Sequence, residues 1–452
     1  MAQRLVVVGA DAAGMSAASQ ALRTARAAGR DLDVLAVEMT DAVSYSACGI
    51  PYWMAGDVAA ADELVARTAA EHRANGIGLR LRTEATALDL DRGELEVRDH
   101  AAGTTSRVGF DDVLLATGAE AIQPEWARGI DGVHPVKTLA DGAVWRRLLA
   151  REPRCALVVG GGYIGVEVAE AFARRGLTTT LVTRGPEPMS GSFEHSMGAL
   201  VRQALEKAGV EVVTGTEVSG LGQGRDGRVA AACVDGQELR ADVVALGLGV
   251  RPRVALATGA GLDVGAHGGL VPDDRQRLAD GVWAAGDCCE VWDRLLRSPW
   301  YVPLGTHANK AGRVAGTNLG GGEARFPGIV GTAITRAAAA EVARTGLTRR
   351  WAVHLGLDVE EVRLESTTAS GYMPEADPVT VWVLGERGTG RLLGCQLVGG
   401  RGAGKRVDTA ATALWAGLAA ADVAMADLAY APPFSPVWDP VQIACRKLAE
   451  RL

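Results

Sequence analysis

The chain has no block of basic residues, no hydrophobic run of membrane-spanning length, and no cysteines at dithiol or metal-ligand spacing. With 47 Lys and Arg against 54 Asp and Glu, a net charge of −7 argues against a nucleic acid partner. The absence of a long apolar run argues against a membrane span. Seven cysteines with no paired spacing beyond the contiguous Cys288–Cys289 argue against a disulfide framework and fit a reducing compartment. The start passes from Arg4 straight into Leu5–Val8, which leaves no room for a cleavable export signal, so a cytoplasmic protein with no metal centre is expected. At 452 residues, 48% of them hydrophobic, the chain is long enough for two or three domains, each with its own core.

The chemistry is placed at Ser44–Pro51, Ser-Tyr-Ser-Ala-Cys-Gly-Ile-Pro. Gly49 removes a side chain beside Cys48, and Pro51 is expected to push Ile50 out of the helical region and stiffen the turn. A thiolate at a helix start is stabilised by free backbone N–H groups, so Cys48 is expected to be an activated nucleophile. With no second cysteine three residues away, its redox partner must be a flavin, a small thiol or its own sulfenic acid. A cysteine serving only as a small apolar residue is the alternative.

Two strand–turn–helix units carry glycine fingerprints. Leu5–Val8 reads as a buried parallel strand, followed by Gly9-Ala-Asp-Ala-Ala-Gly14 and a helix over about 15–28. Asp11 replaces the middle glycine, and Glu38 closes the next strand, Val34–Val37, where an acid takes a ribose hydroxyl. The second unit is complete: strand Ala156–Val159, Gly160-Gly-Gly-Tyr-Ile-Gly165, then a helix through about Arg175. Two units imply two dinucleotides. At the end of strand Thr179–Val182 the acid is absent and Thr183-Arg184 stands there; a neutral residue beside a guanidinium favours a 2′-phosphate, hence NADPH, with Arg184 as a solvated loop charge the alternative.

Asp112–Gly118 and Asp242–Gly249 each run a strand into a small-residue turn, as expected where a chain leaves one nucleotide domain for another. Gly281–Asp287 ends on a carboxylate suited to a ribityl hydroxyl. Pro303–Lys310 begins a helix to about Asn318, and His307 is the only histidine expected near these motifs, as a capping or packing group. From about Phe326 the pattern becomes alternating strands, Val379–Leu384 and Leu392–Val398, beside a helix at Asp408–Ala419. Tyr430–Pro440 is too proline-rich for regular structure and must lie against something.

Together, the fingerprints, the Ala-Gly-Asp287 turn, Cys48-Gly-Ile-Pro and Tyr430-Ala-Pro-Pro-Phe-Ser resemble the FAD-dependent pyridine nucleotide-disulfide oxidoreductases. The chain is similar to their single-cysteine branch of coenzyme A-disulfide reductases, NAD(P)H oxidases, NADH peroxidases and sulfur reductases. The resemblance implies an α/β fold with an FAD domain at 1–118 and 254–323, an NAD(P)H domain at 119–253 and a C-terminal α+β dimerisation domain at 324–452. It implies FAD held by Gly9, Asp11, Ala12, Ala13, Gly14, Glu38, Met39, Ala85, Thr117, Gly118, Asp287, Leu304 and Thr306. NADPH, with NADH as an alternative, falls to Gly160, Gly162, Tyr163, Ile164, Gly165, Thr183, Arg184 and Gly249, with Tyr163 covering the flavin until the nicotinamide displaces it. A homodimer is implied to bring Tyr372 and Tyr430 to the other copy's Cys48, which forms a mixed disulfide with coenzyme A or reduces a related small disulfide or persulfide. Ser44 and Arg67 are substrate candidates. Two departures bear on substrate: Ala47 stands where these reductases carry Asn, and Ala12 where the peroxidases carry His. An NAD(P)H oxidase or a flavin redox sensor is the alternative function. Cys445 and Cys288–Cys289 are read as packed thiols.

Overall fold

Both β-branched runs form central strands of parallel sheets, because residues buried on both faces leave no position for a polar side chain. The computed structural model describes residues 3–452. The first sheet has six strands in the spatial order Arg277–Ala279, Val282–Ala284, Asp112–Leu115, Gln3–Val8, Leu32–Val37 and Ile77–Arg80. Gln3–Val8 runs parallel to both neighbours, and Leu5, Val6 and Val7 are fully buried. The strand order reverses about it, so a crevice opens at its carboxyl end.

A second sheet, all parallel, has the order Val210–Thr214, Thr178–Thr183, Cys155–Val159, Val243–Leu246 and Val133–Pro135. The chain passes between the two sheets along a short antiparallel pair, Ala119–Ala121 with Val250–Pro252. The third sheet is antiparallel: Ala333–Ala337, Ala340–Gly346, Leu392–Gly399, Pro378–Glu386 and Val359–Thr367. Its inner face packs on the helices Val407–Ala416 and Pro440–Ala449 through Val381, Cys395, Leu397, Ala410, Ala444 and Cys445.

The glycines of the fingerprints are steric necessities. Gly9 has φ +104°, and a Cβ there would lie 2.2 Å from the Ala116 oxygen. A Cβ on Gly14 would lie 1.9 Å from the Gly9 oxygen, and one on Gly165 would lie 1.8 Å from the Gly160 oxygen. The helix Ala12–Ala27 is clamped against Gly305–Leu319 in the same way, since a Cβ on Gly312 would sit 2.2 Å from the Ala13 oxygen and one on Gly316 2.3 Å from the Ala17 oxygen. Gly312→Ala and Gly316→Ala should each destabilise the fold by about 1–3 kcal/mol, read as a lowered midpoint in thermal unfolding. Unchanged midpoints in both would refute this helix contact.

Three local expectations need correction. Ile50 is helical (φ −61°, ψ −46°), because Pro51 falls in the first turn of the helix Ile50–Ala55, where its missing N–H has no intrahelical acceptor. The helix read as Asp408–Ala419 spans Val407–Ala416 and ends where Gly417 turns left-handed at φ +70°. Tyr430–Asp439 is irregular, but Pro440 opens a helix, capped by Asp439, whose Oδ1 accepts the Val441 N–H at 2.9 Å.

Candidate active site

At the crevice of the first sheet lies a cavity of about 1520 Å³. The Gly9 turn and the start of the following helix, with Asp11, Ala12 and Ala13, form one wall. Glu38, Met39 and Ala85 lie in the same lining, as do Thr117, Gly118, Asp287 and Leu304. Ser44, Cys48 and Arg67 line it as well. Fourteen of the expected residues therefore share one cavity, whose volume exceeds that of an ordinary small-ligand pocket. Gly14 packs behind the turn, and Thr306 is exposed in the first turn of the helix Gly305–Leu319.

Asp11 has a positive role. It precedes the helix Ala12–Ala27 without capping it, and its Oδ1 accepts the Tyr45 N–H at 3.2 Å, which ties the cysteine loop to the fingerprint. Burial, aided by the nearby Glu38 carboxylate, raises its pKa to about 6. Glu38 accepts N–H groups from Ala10 (2.9 Å) and Thr40 (2.8 Å), which fixes its carboxylate in the cavity lining.

Cys48 sits in a single 3₁₀ turn, Ala47–Gly49, with its side chain open to the cavity. A Cβ on Gly49 would meet Leu64 Cδ2 at 2.3 Å, so a larger residue there would have to push the Leu64 side chain aside. The expected lowering of the thiol pKa does not occur. Although the side chain is open to the cavity, the protein walls around it exclude enough solvent to push the pKa up, the Glu167 and Asp287 carboxylates add to this, and Lys137 and the turn's own backbone N–H only partly offset it. One 3₁₀ turn aligns too few peptide dipoles to outweigh desolvation and a carboxylate.

Sequence reasoning missed three groups. Lys137 lines the cavity and pairs with Asp287 Oδ2 at 3.0 Å; it lies in no motif, only before the helix Leu139–Leu149. Glu167 lies one turn beyond Tyr163, and its Oε1 accepts from Thr335 Oγ1 of the third sheet at 2.5 Å. Two acids, Glu167 and Glu170, within the mostly apolar run Ile164–Phe172 are the signal that could have found it. His72 also lines the cavity, so His307 is not the only histidine near the motifs; His307 itself is buried, its Nδ1 3.1 Å from the Val302 oxygen.

The second fingerprint lies outside the cavity. Gly160, Gly162, Ile164, Gly165 and Gly249 shape the turns at the carboxyl end of the second sheet, with Gly160 at φ +108° and Gly249 at φ +88°. Tyr163 packs against the adjoining core, and burial pushes its hydroxyl up to about 12. Thr183 is buried beneath Gly161, Arg184 is exposed, and Glu187 is held by Arg202 at 2.8 and 3.1 Å. Tyr372 and Tyr430 are 75% and 47% exposed on the C-terminal unit and do not line the cavity of their own chain. Cys288 and Cys289 are buried thiols with Sγ atoms 3.7 Å apart, and Cys445 is buried, its thiol pushed up to about 12. No helix among the described residues is long and apolar enough to cross a membrane.

Residues 3–311 match the model of the pyridine nucleotide-disulphide oxidoreductases, and residues 333–440 that of their dimerisation domain. The chain is 34% identical, over 99% of both sequences, to an NAD(P)H coenzyme A polysulfide/persulfide reductase from Pyrococcus horikoshii. It superimposes on an NAD-dependent persulfide reductase from A. fulgidus with a TM-score of 0.95 at 32% identity, over 99% of this chain and 83% of that one. On an engineered water-forming NADPH oxidase derived from a Lactobacillus brevis enzyme the TM-score is 0.93 at 25% identity, over 99% of both chains. The chain therefore belongs to the pyridine nucleotide-disulphide oxidoreductases, a family of flavin-dependent NAD(P)H oxidoreductases.

Proposed function

We propose that this protein is an NADPH-dependent flavoprotein reductase that acts through Cys48 on coenzyme A disulfide or a related low-molecular-weight disulfide or persulfide. One observation carries the reading: among the described residues Cys48 is the only thiol lining the dinucleotide cavity. The Pyrococcus relative, which reduces coenzyme A polysulfide or persulfide by name, supports the substrate class.

The residues present fit FAD. The Gly9 turn lines the cavity with backbone, Glu38 stands at the ribose position with its carboxylate held by the Ala10 and Thr40 N–H groups, and Asp287 and Lys137 offer a carboxylate and an ammonium to the chain and ring. When bound, FAD supplies a two-electron relay between the nicotinamide and Cys48. The Cys48 thiolate attacks one sulfur of the disulfide; an S–S bond to Cys48 forms, the substrate S–S bond breaks, and the departing thiolate takes a proton. Two electrons originating in NADPH and a proton then cleave the mixed disulfide, releasing the second thiol and restoring the Cys48 thiolate. Lys137 favours that thiolate and Glu167 opposes it. In a homodimer, Tyr372 and Tyr430 of the second copy supply phenol O–H groups to the departing sulfur. The neutral Thr183 followed by Arg184 suits a 2′-phosphate; the engineered NADPH oxidase likewise carries an aspartate changed to alanine, followed directly by an alanine changed to arginine.

Intact mass of the protein after FAD removal, with and without a thiol reductant, tests the reading. The expected result is a reductant-sensitive increment equal to coenzyme A, mapped to Cys48. Fast oxygen uptake in the absence of any disulfide, with an oxygen-bearing Cys48, would instead make the protein an NAD(P)H oxidase.

A further inference from the structure

His72 belongs to no sequence motif, yet it lines the cavity together with Ser44, Arg67 and Cys48. The residue is 2% exposed. Nε2 lies 2.9 Å from Ser44 Oγ, while Nδ1 is buried with no partner among the described residues. Ser44 is itself locked in the left-handed region at φ +45°, by its own N–H to the Ala10 oxygen (3.1 Å) and by the Ala66 N–H to its carbonyl (2.8 Å). The backbone thus fixes where Ser44 stands, and His72 fixes how its hydroxyl is turned.

The orphaned Nδ1 decides the tautomer. A proton on Nδ1 would bury an unpaired donor, the rarer and more costly defect, whereas a bare Nδ1 leaves only an unused lone pair. The proton therefore sits on Nε2 and is donated to Ser44 Oγ. Burial and the Arg67 guanidinium hold the imidazole below its usual pKa, against the Glu71 carboxylate on the same helix, so the neutral ring persists at neutral pH. With one lone pair of Oγ engaged by His72, the proton of the serine hydroxyl is free for the cavity.

We propose that His72 is a positioning residue for the substrate: by donating from Nε2 to Ser44 Oγ it aims the serine O–H into the cavity, as the donor to an amide carbonyl on the thiol arm that reaches Cys48. This rests on the coenzyme A reading above, whose pantetheine arm carries such carbonyls. Inorganic polysulfide reaches the same sulfur without one.

The test is steady-state kinetics of the FAD-loaded enzyme with coenzyme A disulfide and with inorganic polysulfide, for wild type, His72→Phe, His72→Gln, Ser44→Ala and the His72→Phe/Ser44→Ala double variant. His72→Phe should raise KM for coenzyme A disulfide about three- to tenfold, the worth of one neutral hydrogen bond, with kcat, KM for NADPH and polysulfide kinetics unchanged. His72→Gln, which keeps an N–H at similar reach, should restore KM, and His72→Phe should add nothing to Ser44→Ala. An equal loss with polysulfide, no rescue by glutamine, or additive effects would overturn the role of His72. Wild-type enzyme that reduces polysulfide but not coenzyme A disulfide would instead overturn the substrate reading, and this inference with it.

Discussion

Cys48→Ser leaves a folded protein that binds FAD and is bleached by NADPH, but its disulfide-dependent NADPH turnover falls by roughly 10³-fold or more, as expected when a nucleophile is removed. The substitution is close to isosteric at an exposed side chain, so stability changes by no more than about 0.5 kcal/mol. No other thiol among the described residues lines the cavity to take over the attack; Cys288 and Cys289 are buried and absent from its lining. The comparison to make is the anaerobic half-reaction with NADPH against steady-state turnover with disulfide. Undiminished disulfide turnover would place Cys48 outside the electron path, and equal losses in both would trace the defect to flavin reduction instead.

The same thiol sets a pH dependence. Because desolvation by the surrounding cavity walls and the Glu167 carboxylate raise its pKa, the attacking thiolate is scarce at neutral pH, and disulfide turnover rises with pH toward the alkaline side. Removing the carboxylate with Glu167→Gln lowers the thiol pKa, moves the alkaline limb to lower pH and raises the rate at pH 7. Lys137→Met removes the favourable cation and moves the limb to higher pH. Limbs that stay in place in both variants would refute this electrostatic control.

Arg184→Ala should reduce kcat/KM for NADPH by about 10- to 100-fold while leaving that for NADH nearly unchanged, since a hydrogen bond to a charged phosphate contributes about 1.5–3 kcal/mol. The guanidinium is exposed and has no ion pair among the described residues, so a phosphate does not have to displace a carboxylate. The nearby acid, Glu187, is occupied by Arg202 and is not free to take a ribose hydroxyl. Equal losses for both cofactors would assign Arg184 a general role at the phosphates, and no loss would leave it a solvated loop charge.

Several features were legible without coordinates because they rest on local sterics. Gly9, Gly14, Gly160 and Gly165 are required where a strand turns directly into a helix, and their would-be Cβ contacts at about 2 Å show why. The strand segments Leu5–Val8 and Ala156–Val159 were readable because full burial demands an unbroken apolar run. Boundaries were less so: Pro51 and Pro440 read as helix breakers, but each sits in the first turn of a helix, where proline is at home.

By itself, then, the sequence determined two dinucleotide-binding units, a lone cysteine between them and a different unit at the end, since each follows from residue types at short spacing. Only the tertiary structure decided the electrostatics of the site. Glu167, Lys137 and His72 are 119, 89 and 24 residues from Cys48 in the chain. Burial and charge act through space, so the direction of the Cys48 shift and the Ser44–His72 contact depend on which elements the fold brings together.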